Sequence, residues 1–365
     1  MSRKTEILVV GGGPAGLSAA IVAAQLGSKV LLVDDNQHLG GQLVKQTHRF
    51  FGSSARDAGI RGFNIAEQLL EEAAGLKKNL TILLNTTIVG FYGDTEAGLL
   101  SPERFEKVTF ERVIVCTGAV ENSLNFENND LPGVYGAGAV QTLMNVHGIK
   151  PGNRILMVGS GNIGLIVSYQ LMQAGVQVVG LVEAMQTIGG YLVHASKIRR
   201  MGVPIYTGHT IVSALGTDGV TGAKICRVDE KFQTVPNTEF DVECDCICLA
   251  VGLSPLIELF QQADCKMVHV GELGGLVPLH DVNMRTTNPH VYVAGDASGI
   301  EEATTAILGG RVAGASANKS IHGESAEAGK VVADAVSELR TLRSGPTGER
   351  IRWGREKIEK EITAC

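Results

Sequence analysis

Residues Ile7 to Asp35 read ILVVGGGPAGLSAAIVAAQLGSKVLLVDD. The four apolar residues Ile7 to Val10 predict a buried parallel strand, since no polar side chain interrupts them. Gly11, Gly13 and Gly16 then lead into an alanine-rich helix, and a second apolar strand, Val30 to Val33, ends on Asp34. Each glycine has its own reason. Gly11 permits the tight turn, Gly13 lets the backbone approach a pyrophosphate, and Gly16 lets the helix pack close on the sheet. The helix N-terminus offers a phosphate its unpaired N–H groups and the positive end of its dipole. Asp34 follows Gly11 by 23 residues, near the spacing of about 20 at which a carboxylate can accept hydrogen bonds from a ribose diol. GxGxxG alone is a weak signal, but strand, turn, helix, strand and acid in this order form a dinucleotide-binding unit.

The pattern returns once. Arg154 to Glu183, RILMVGSGNIGLIVSYQLMQAGVQVVGLVE, repeats the strand, the glycines at Gly159, Gly161 and Gly164, an apolar helix, a strand and a terminal acid, with Glu183 24 residues after Gly159. Duplication of a whole βαβ unit predicts a second dinucleotide site. The closing strands rhyme as well: Val113 to Gly118 is VIVCTG and Ile247 to Gly252 is ICLAVG.

Bulk properties fit this reading. A chain of 365 residues has room for roughly two domains. Its net charge of -6 supplies no broad basic field for nucleic acid. No apolar run approaches the eighteen or so residues of a membrane span. Arg3 and Lys4 precede an apolar stretch as in a secretory leader, but that stretch belongs to the nucleotide unit, so a cytoplasmic protein is expected. Seven scattered cysteines suit a reducing compartment better than a disulfide framework.

Between the two units, Leu39 to Ser53 is predicted to enter the cofactor cleft, Phe63 to Ala74 to be helical, and Leu80 to Phe91, Phe105 to Phe110 and Arg112 to Gly118 to be strands. Asn122 to Gly152, rich in glycine and proline, reads as a connector. After Glu183, Ile188 to Met201 predicts a loop and helix, and Pro204 to Ser213 and Ala223 to Val228 predict strands. Asn288 to Gly314 contains a strand ending at Ala294, then Gly295 and Asp296, then a helix of small residues. The charged tail from Glu324, basic from Arg340 to Lys360 and punctuated by Gly345, Pro346, Gly348 and Gly354, predicts a surface helix or docking arm rather than core.

Together these motifs resemble the FAD/NAD(P)-dependent flavoproteins with two dinucleotide-binding domains, the superfamily of thioredoxin and glutathione reductases and NADH oxidases, over nearly all of residues 5 to 320. The resemblance implies an α/β fold of two Rossmann-like domains, with the NAD domain inserted into the FAD domain. Residues 1–121 and 254–323 would form the FAD domain, 122–253 the NAD(P) domain, and 324–365 the charged tail. It implies that Gly11, Gly13, Gly16, Asp34, Gln42, Thr117, Gly118, Asp296 and Glu302 lie on FAD. Gly159, Gly161, Ile163, Gly164, Glu183 and Gly252 would lie on NAD(P).

GGQLVKQTHRFFGS, PGVYGAGAVQTLMN, GGYLVHASKIRR and GIEEATTAILGGRVAG resemble more narrowly the flavoprotein subunits of heteromeric amine and amino-acid dehydrogenases: the sarcosine oxidase alpha, hydrogen cyanide synthase, opine and proline dehydrogenase group. That likeness implies a hetero-oligomer with a second flavoprotein subunit and an iron-sulfur protein. The iron-sulfur cysteine cluster or ferredoxin-like domain of several relatives is absent here, so such a centre would come from another chain. Two other functions fit the same motifs: a stand-alone NADH oxidase or small-molecule reductase, and a non-catalytic nucleotide-binding assembly subunit.

Disulfide reductases of the superfamily need a cysteine pair beside the flavin, as CxxC or CxxxxC, and neither spacing occurs. Cys244, Cys246 and Cys248 alternate along FDVECDCICLAVG, which predicts one shared face. With no second pair to complete a tetrahedral site they read as strand residues, and no metal is expected. Cys116 reads as structural, and Cys226, Cys265 and Cys365 are isolated. His48, in KQTHRFF, is placed either to assist proton transfer or simply to bond backbone in a loop. Glu301 and Glu302 begin a predicted helix, where capping explains one of them; Glu301 is the other candidate for chemistry. His194, Lys197, Arg199 and Arg200 form a solvated basic helix face or meet a nucleotide phosphate. Glu183 favours NAD(H), because a carboxylate binds both ribose hydroxyls and repels a 2'-phosphate. NADP(H), held by the arginines, and a structural ATP are the alternatives. Flavin and nicotinamide would carry the redox chemistry themselves.

Overall fold

The opening strand, Ile7–Val10, is buried along its whole length and pairs in parallel with Val30–Val33 on one side and Arg112–Val115 on the other. Val291–Val293 and Leu80–Leu83 complete a five-stranded parallel sheet. The structure is a computed structural model and describes residues 3–50, 57–345 and 348–363. Its helices, in chain order, are α1 (Pro14–Gln25), α2 (Gly62–Ala74), α3 (Ala137–Asn145), α4 (Asn162–Gln173), α5 (Leu192–Arg200), α6 (Glu258–Gln262), α7 (Ala303–His322), α8 (Ala326–Leu342) and α9 (Glu349–Thr363). The chain divides into two compact units, residues 1–120 with 254–365, and residues 121–253.

In the first unit the strand period of two sends Ile7, Val9, Val30 and Leu32 to one face, where α1, α2 and α7 cover them. Leu8, Val10, Leu31 and Val33 go to the other face, against Ala97, Leu99 and Val108. Those last residues belong to a second, four-stranded sheet of Arg3–Lys4, Phe105–Thr109, Glu96–Leu100 and Thr87–Phe91. Burial of each such aliphatic side chain is worth about 1.5–3 kcal/mol. The small residues of α7 serve its approach to α1. A Cβ at Gly310 would overlap the carbonyl oxygen of Ala15, and one at Gly314 that of Ala19. Asn318, further along α7, donates to the Leu26 carbonyl at 3.3 Å and to Ser28 Oγ at 2.8 Å. Residues nearly three hundred apart in sequence are thereby joined into one core.

The second unit repeats the design. Val134–Gly136, Cys246–Leu249, Arg154–Val158, Gln177–Glu183 and Ile205–Thr207 lie side by side in a parallel sheet. Helices α3, α4 and α5 cover one face, and an antiparallel sheet of His209–Leu215, Gly222–Arg227 and Phe240–Glu243 covers the other. The supposed connector Asn122 to Gly152 therefore holds an edge strand and α3.

Two expectations need correction. Cys246 and Cys248 share one face, but Cys244 packs on the opposite side with Leu156 and Ile247. The strand is interrupted at Asp245, whose carboxylate turns to accept the backbone N–H groups of Asn153 and Arg154 at 2.8–3.0 Å, so the alternation resets. The tail is not a free arm. Leu339 of α8 packs with Leu308 and Val312 of α7, and Ile358 of α9 closes a cluster of Val270, Leu273, Val277 and Leu279. Gly354, which looked like punctuation, is a contact point: a Cβ there would stand 2.7 Å from Leu273 Cγ. Residues Phe51 to Ser53 of the expected cleft loop, and Cys365, lie outside the described residues.

Candidate functional site

Both glycine turns have the same internal division of labour. Gly11 has φ +97° and Gly159 φ +105°, backbone that a side chain would strain. A Cβ at Gly16 would overlap the Gly11 carbonyl oxygen, and one at Gly164 that of Gly159. These four glycines close the turn on itself. Gly13 and Gly161 differ. A Cβ at Gly13 would find only Gly41 Cα at 3.8 Å, and one at Gly161 nothing within 4 Å. Each stands as N-cap of its helix, α1 or α4, with no side chain capping it. The open space and the uncapped helix end suit a pyrophosphate, so the residues present fit a dinucleotide in each unit.

The acids are held alike. Asp34 Oδ2 accepts from the backbone N–H of Gly12 at 2.5 Å, and Oδ1 from Asn36 N and Nδ2 at 2.8 and 3.0 Å. Glu183 Oε2 accepts from Ser160 N at 2.9 Å and Oγ at 2.6 Å, and Oε1 from Met185 N at 2.9 Å. Three donors fix each carboxylate beside its turn and leave room for a further donor, since a carboxylate has about four acceptor sites. The loop after Asp34 returns to the turn: Gly40 N donates to Gly12 O at 2.8 Å, and a short 3-10 helix, Gly41–Lys45, follows with Gln42 exposed. The corresponding segment of the second unit brings Tyr191 N to Asn162 Oδ1 at 2.8 Å.

Thr117 Oγ1 donates to Leu256 O at 3.1 Å. Gly118, φ +76°, has open space beside it. Gly252, φ +111°, stands 3.0 Å from Asn122 Nδ2, measured from a Cβ placed on it, and Ile163 is 36% exposed. The His48 ring lies tilted at 32° against that of Phe50, with ring centroids 5.0 Å apart.

Beyond Gly295 and Asp296, sequence reasoning missed a buried ionic cluster. Glu301 Oε1 accepts from Arg355 Nη2 at 2.5 Å, Arg355 Nε at 3.0 Å and Arg343 Nη2 at 2.8 Å, while Oε2 accepts from Arg343 Nε at 2.9 Å. Burial alone would push this carboxyl up, but Arg355 and Arg343 hold it below the usual range. With its oxygens taken by two guanidinium groups Glu301 is an ionic anchor and not an available acid or base, and it does not cap α7. Glu302 is the N-cap residue of α7, also without a side-chain cap bond.

His280 completes the cluster. Its Nδ1 lies 2.8 Å from the Pro278 carbonyl and its Nε2 3.1 Å from Arg355 Nη1. Only the neutral Nδ1–H tautomer satisfies both, donating to the carbonyl and accepting from the guanidinium. Burial, then Arg355 and Arg343, push its pKa down to about 3 against the partial support of the Pro278 carbonyl and of Glu301. Burial pushes Asp296 up to about 6 against the opposing hydrogen bond from the Glu301 N–H, with the Glu301 carboxylate raising it and Arg355 lowering it.

These shifts act oppositely on stability. Between about 3 and 6.5 unfolded His280 binds a proton that the folded residue refuses, so stability falls on acidification. Between 3.8 and about 6 folded Asp296 keeps a proton that the unfolded residue loses, so stability falls as pH rises. Denaturant titrations of the cofactor-free protein should therefore show partial cancellation from pH 4 to 6. In His280→Gln the first effect disappears, and the variant should gain stability relative to wild type as pH falls from 6.5 to 5. Parallel pH profiles for the two proteins would contradict this.

The six described cysteines are free and buried, and burial raises the thiols of Cys116, Cys244 and Cys246 to about 12. A protonated buried thiol is a poor nucleophile. Among the described residues no group of His, Cys, Asp and Glu is arranged to hold a metal, and no helix is long and apolar enough to cross a membrane.

A family model described as pyridine nucleotide-disulphide oxidoreductase matches residues 5–310. The chain belongs to this family. Among curated proteins it is similar to hydrogen cyanide synthase subunit HcnB of Pseudomonas aeruginosa, 28% identical over 322 residues that cover 84% of this chain and 69% of that one. It is also similar to sarcosine oxidase subunit alpha of a Corynebacterium strain, 29% identical over 324 residues covering 86% of this chain and 32% of the relative, so it spans about a third of that protein's length. Among solved structures, thioredoxin reductase of T. acidophilum superposes with a TM-score of 0.72 at 20% identity, covering 88% of this chain and 99% of that one. The fold is thus the thioredoxin reductase-like pair of Rossmann units. The protein is a flavoprotein oxidoreductase of the pyridine nucleotide-disulphide oxidoreductase family, whose members bind FAD and a pyridine nucleotide.

Proposed function

We propose that this pyridine nucleotide-disulphide oxidoreductase is a subunit that carries electrons between NAD(H) and a partner, a second flavoprotein or an iron-sulfur protein, which oxidises or reduces an amine or amino acid. The observation that carries this is the pairing of two complete nucleotide turns with cysteines that are all buried among the described residues. With no exposed thiol pair to reduce, the electrons have to leave for an acceptor outside this set of residues. The names of the relatives, subunits of hydrogen cyanide synthase and sarcosine oxidase, favour a heteromeric enzyme acting on an amine or amino acid.

In this reading Gly11, Gly13, Gly16 and Asp34 take the FAD pyrophosphate and adenosine ribose, with Gln42, Thr117, Gly118, Asp296 and Glu302 along the rest of that cofactor. Gly159, Gly161, Ile163, Gly164, Glu183 and Gly252 take the pyridine nucleotide. The flavin, when bound, supplies the hydride and electron chemistry. The chain's own residues bind, orient and exclude water.

Glu183 supports NAD(H) over NADP(H). Arg199 and Arg200 lie in the last turn of α5, about 12 Å along the helix from its N-cap, Tyr191. Glu183→Gln should narrow the preference for NADH over NADPH by about tenfold, because one unit of like charge is removed. Flavin reduction rates with the two nucleotides would measure it, and an unchanged ratio would remove Glu183 from the site.

Native purification from the protein's own source tests the whole proposal. It should yield FAD and at least one co-purifying redox subunit, with amine- or amino-acid-dependent NAD reduction or the reverse. A chain that purifies alone and turns over NADH with oxygen rapidly would favour a stand-alone oxidase instead. Adenine nucleotide whose occupancy never changes during turnover would favour an assembly role.

A further inference from the structure

Arg355 belongs to α9, outside both nucleotide motifs, yet four of its five hydrogen bonds go to Ser298 and Glu301, in the segment around Asp296, and the fifth to His280. Nε and Nη2 donate to Glu301 Oε1, Nη2 also to Ser298 Oγ at 3.2 Å, and Nη1 to Ser298 O at 3.0 Å and to His280 Nε2. The side chain is 14% exposed and that of Glu301 7%. The clamped segment is short. Asp296 lies two residues before Ser298, and the Glu301 N–H reaches Asp296 Oδ1 at 3.4 Å. Glu302, next in sequence, is the N-cap of α7.

We infer that Arg355 is a positioning residue for FAD: through Ser298 and Glu301 it sets the backbone that carries Asp296 and the start of α7. This rests on the assignment of Asp296 and Glu302 to FAD made above. The physical reason is preorganisation. The segment contains Gly295 at φ +72° and Gly299 at φ +131°, both conformationally permissive. A planar five-donor fork that bonds a carbonyl, a hydroxyl, a carboxylate and an imidazole removes that freedom before the cofactor arrives. Lysine has three donors in no fixed plane and cannot reproduce the set. Coupling is reciprocal, so FAD bound at the segment must tighten α9 as much as α9 tightens FAD.

The test uses the full chain. Cofactor-free wild type and Arg355→Lys are titrated with FAD, following flavin fluorescence for Kd and the visible spectrum for the environment of the bound ring. The Kd should rise about tenfold in the variant, within the roughly 5- to 150-fold span of coupled sites, with a shifted spectrum and unchanged pyridine-nucleotide binding. Hydrogen exchange on wild type needs no substitution: FAD should slow exchange in Glu349–Thr363 together with Gly295–Glu301. If Arg355→Lys does not fold, this second measurement decides. Equal Kd and spectrum in the variant, or FAD protection of 295–301 without α9, would overturn the inference while leaving the FAD site intact. Wild type that binds no FAD would instead overturn the assignment on which it rests.

Discussion

Gly13→Ala should fold as well as wild type and fail to retain FAD. Its backbone is extended at φ -73° and ψ -171°, which alanine adopts freely, and the nearest atom to a new Cβ is 3.8 Å away, ordinary contact distance. The methyl group would instead occupy the space argued to hold the pyrophosphate. Overpacking by one methyl costs roughly 1–3 kcal/mol, a loss in affinity of about ten- to a hundredfold. Gly161→Ala should do the same to pyridine-nucleotide binding while sparing FAD. Gly16→Ala makes the contrast, because its Cβ would overlap the Gly11 carbonyl oxygen and α1 could stay helical only by leaving the sheet. It should lose both FAD and stability. Thermal unfolding of the cofactor-free proteins separates the two cases, and Gly13→Ala that holds FAD as tightly as wild type would show the open side of the turn to be irrelevant.

Removing residues 324–365 should abolish folding of the first unit and not merely a contact with a partner. Truncation uncovers Leu308 and Val312 where α8 lay, and Val270, Leu273, Val277 and Leu279 where α9 lay. It also removes both guanidinium partners of Glu301. Each re-exposed aliphatic side chain costs about 1.5–3 kcal/mol. The sum rivals the roughly 5–15 kcal/mol that stabilises a typical domain. Insoluble expression, or a broad low-temperature transition by circular dichroism, is the expected outcome. A truncated chain with an unchanged melting temperature would restore the tail to the role of an accessory arm.

What was legible in the sequence was local. Ile7 to Val10 and Val30 to Val33 are strands at the predicted boundaries, because a short uninterrupted apolar run bounded by charged residues or glycine has few other ways to be buried. The glycine turns and their acids could be read because every partner lies within about 25 residues, so spacing carries the geometry. Glu96–Leu100 escaped notice because EAGLL shows no alternation. Its burial comes from sheet neighbours that periodicity cannot reveal. The face of Cys244 was misjudged for a similar reason, since Asp245 breaks the strand to serve Asn153 and Arg154, ninety residues back. Arg355 could not have been found at all. Its partners Glu301 and His280 are 54 and 75 residues away, and a basic residue in a charged tail looks like solvent-facing helix until α9 is seen against the first unit. Only the charge and the glycine and proline punctuation of the tail were visible, not the closeness that Gly354 permits.

The most direct test of the central claim, that electrons pass between NAD(H) and FAD in this chain, is an anaerobic titration of the purified holoprotein with NADH, following the flavin absorbance. Bleaching of the flavin by NADH, faster than by NADPH and lost in Gly161→Ala, is the predicted result. A flavin that stays oxidised with NADH bound, while dithionite bleaches it, would contradict the claim and leave the second unit a holder of nucleotide rather than a source of electrons.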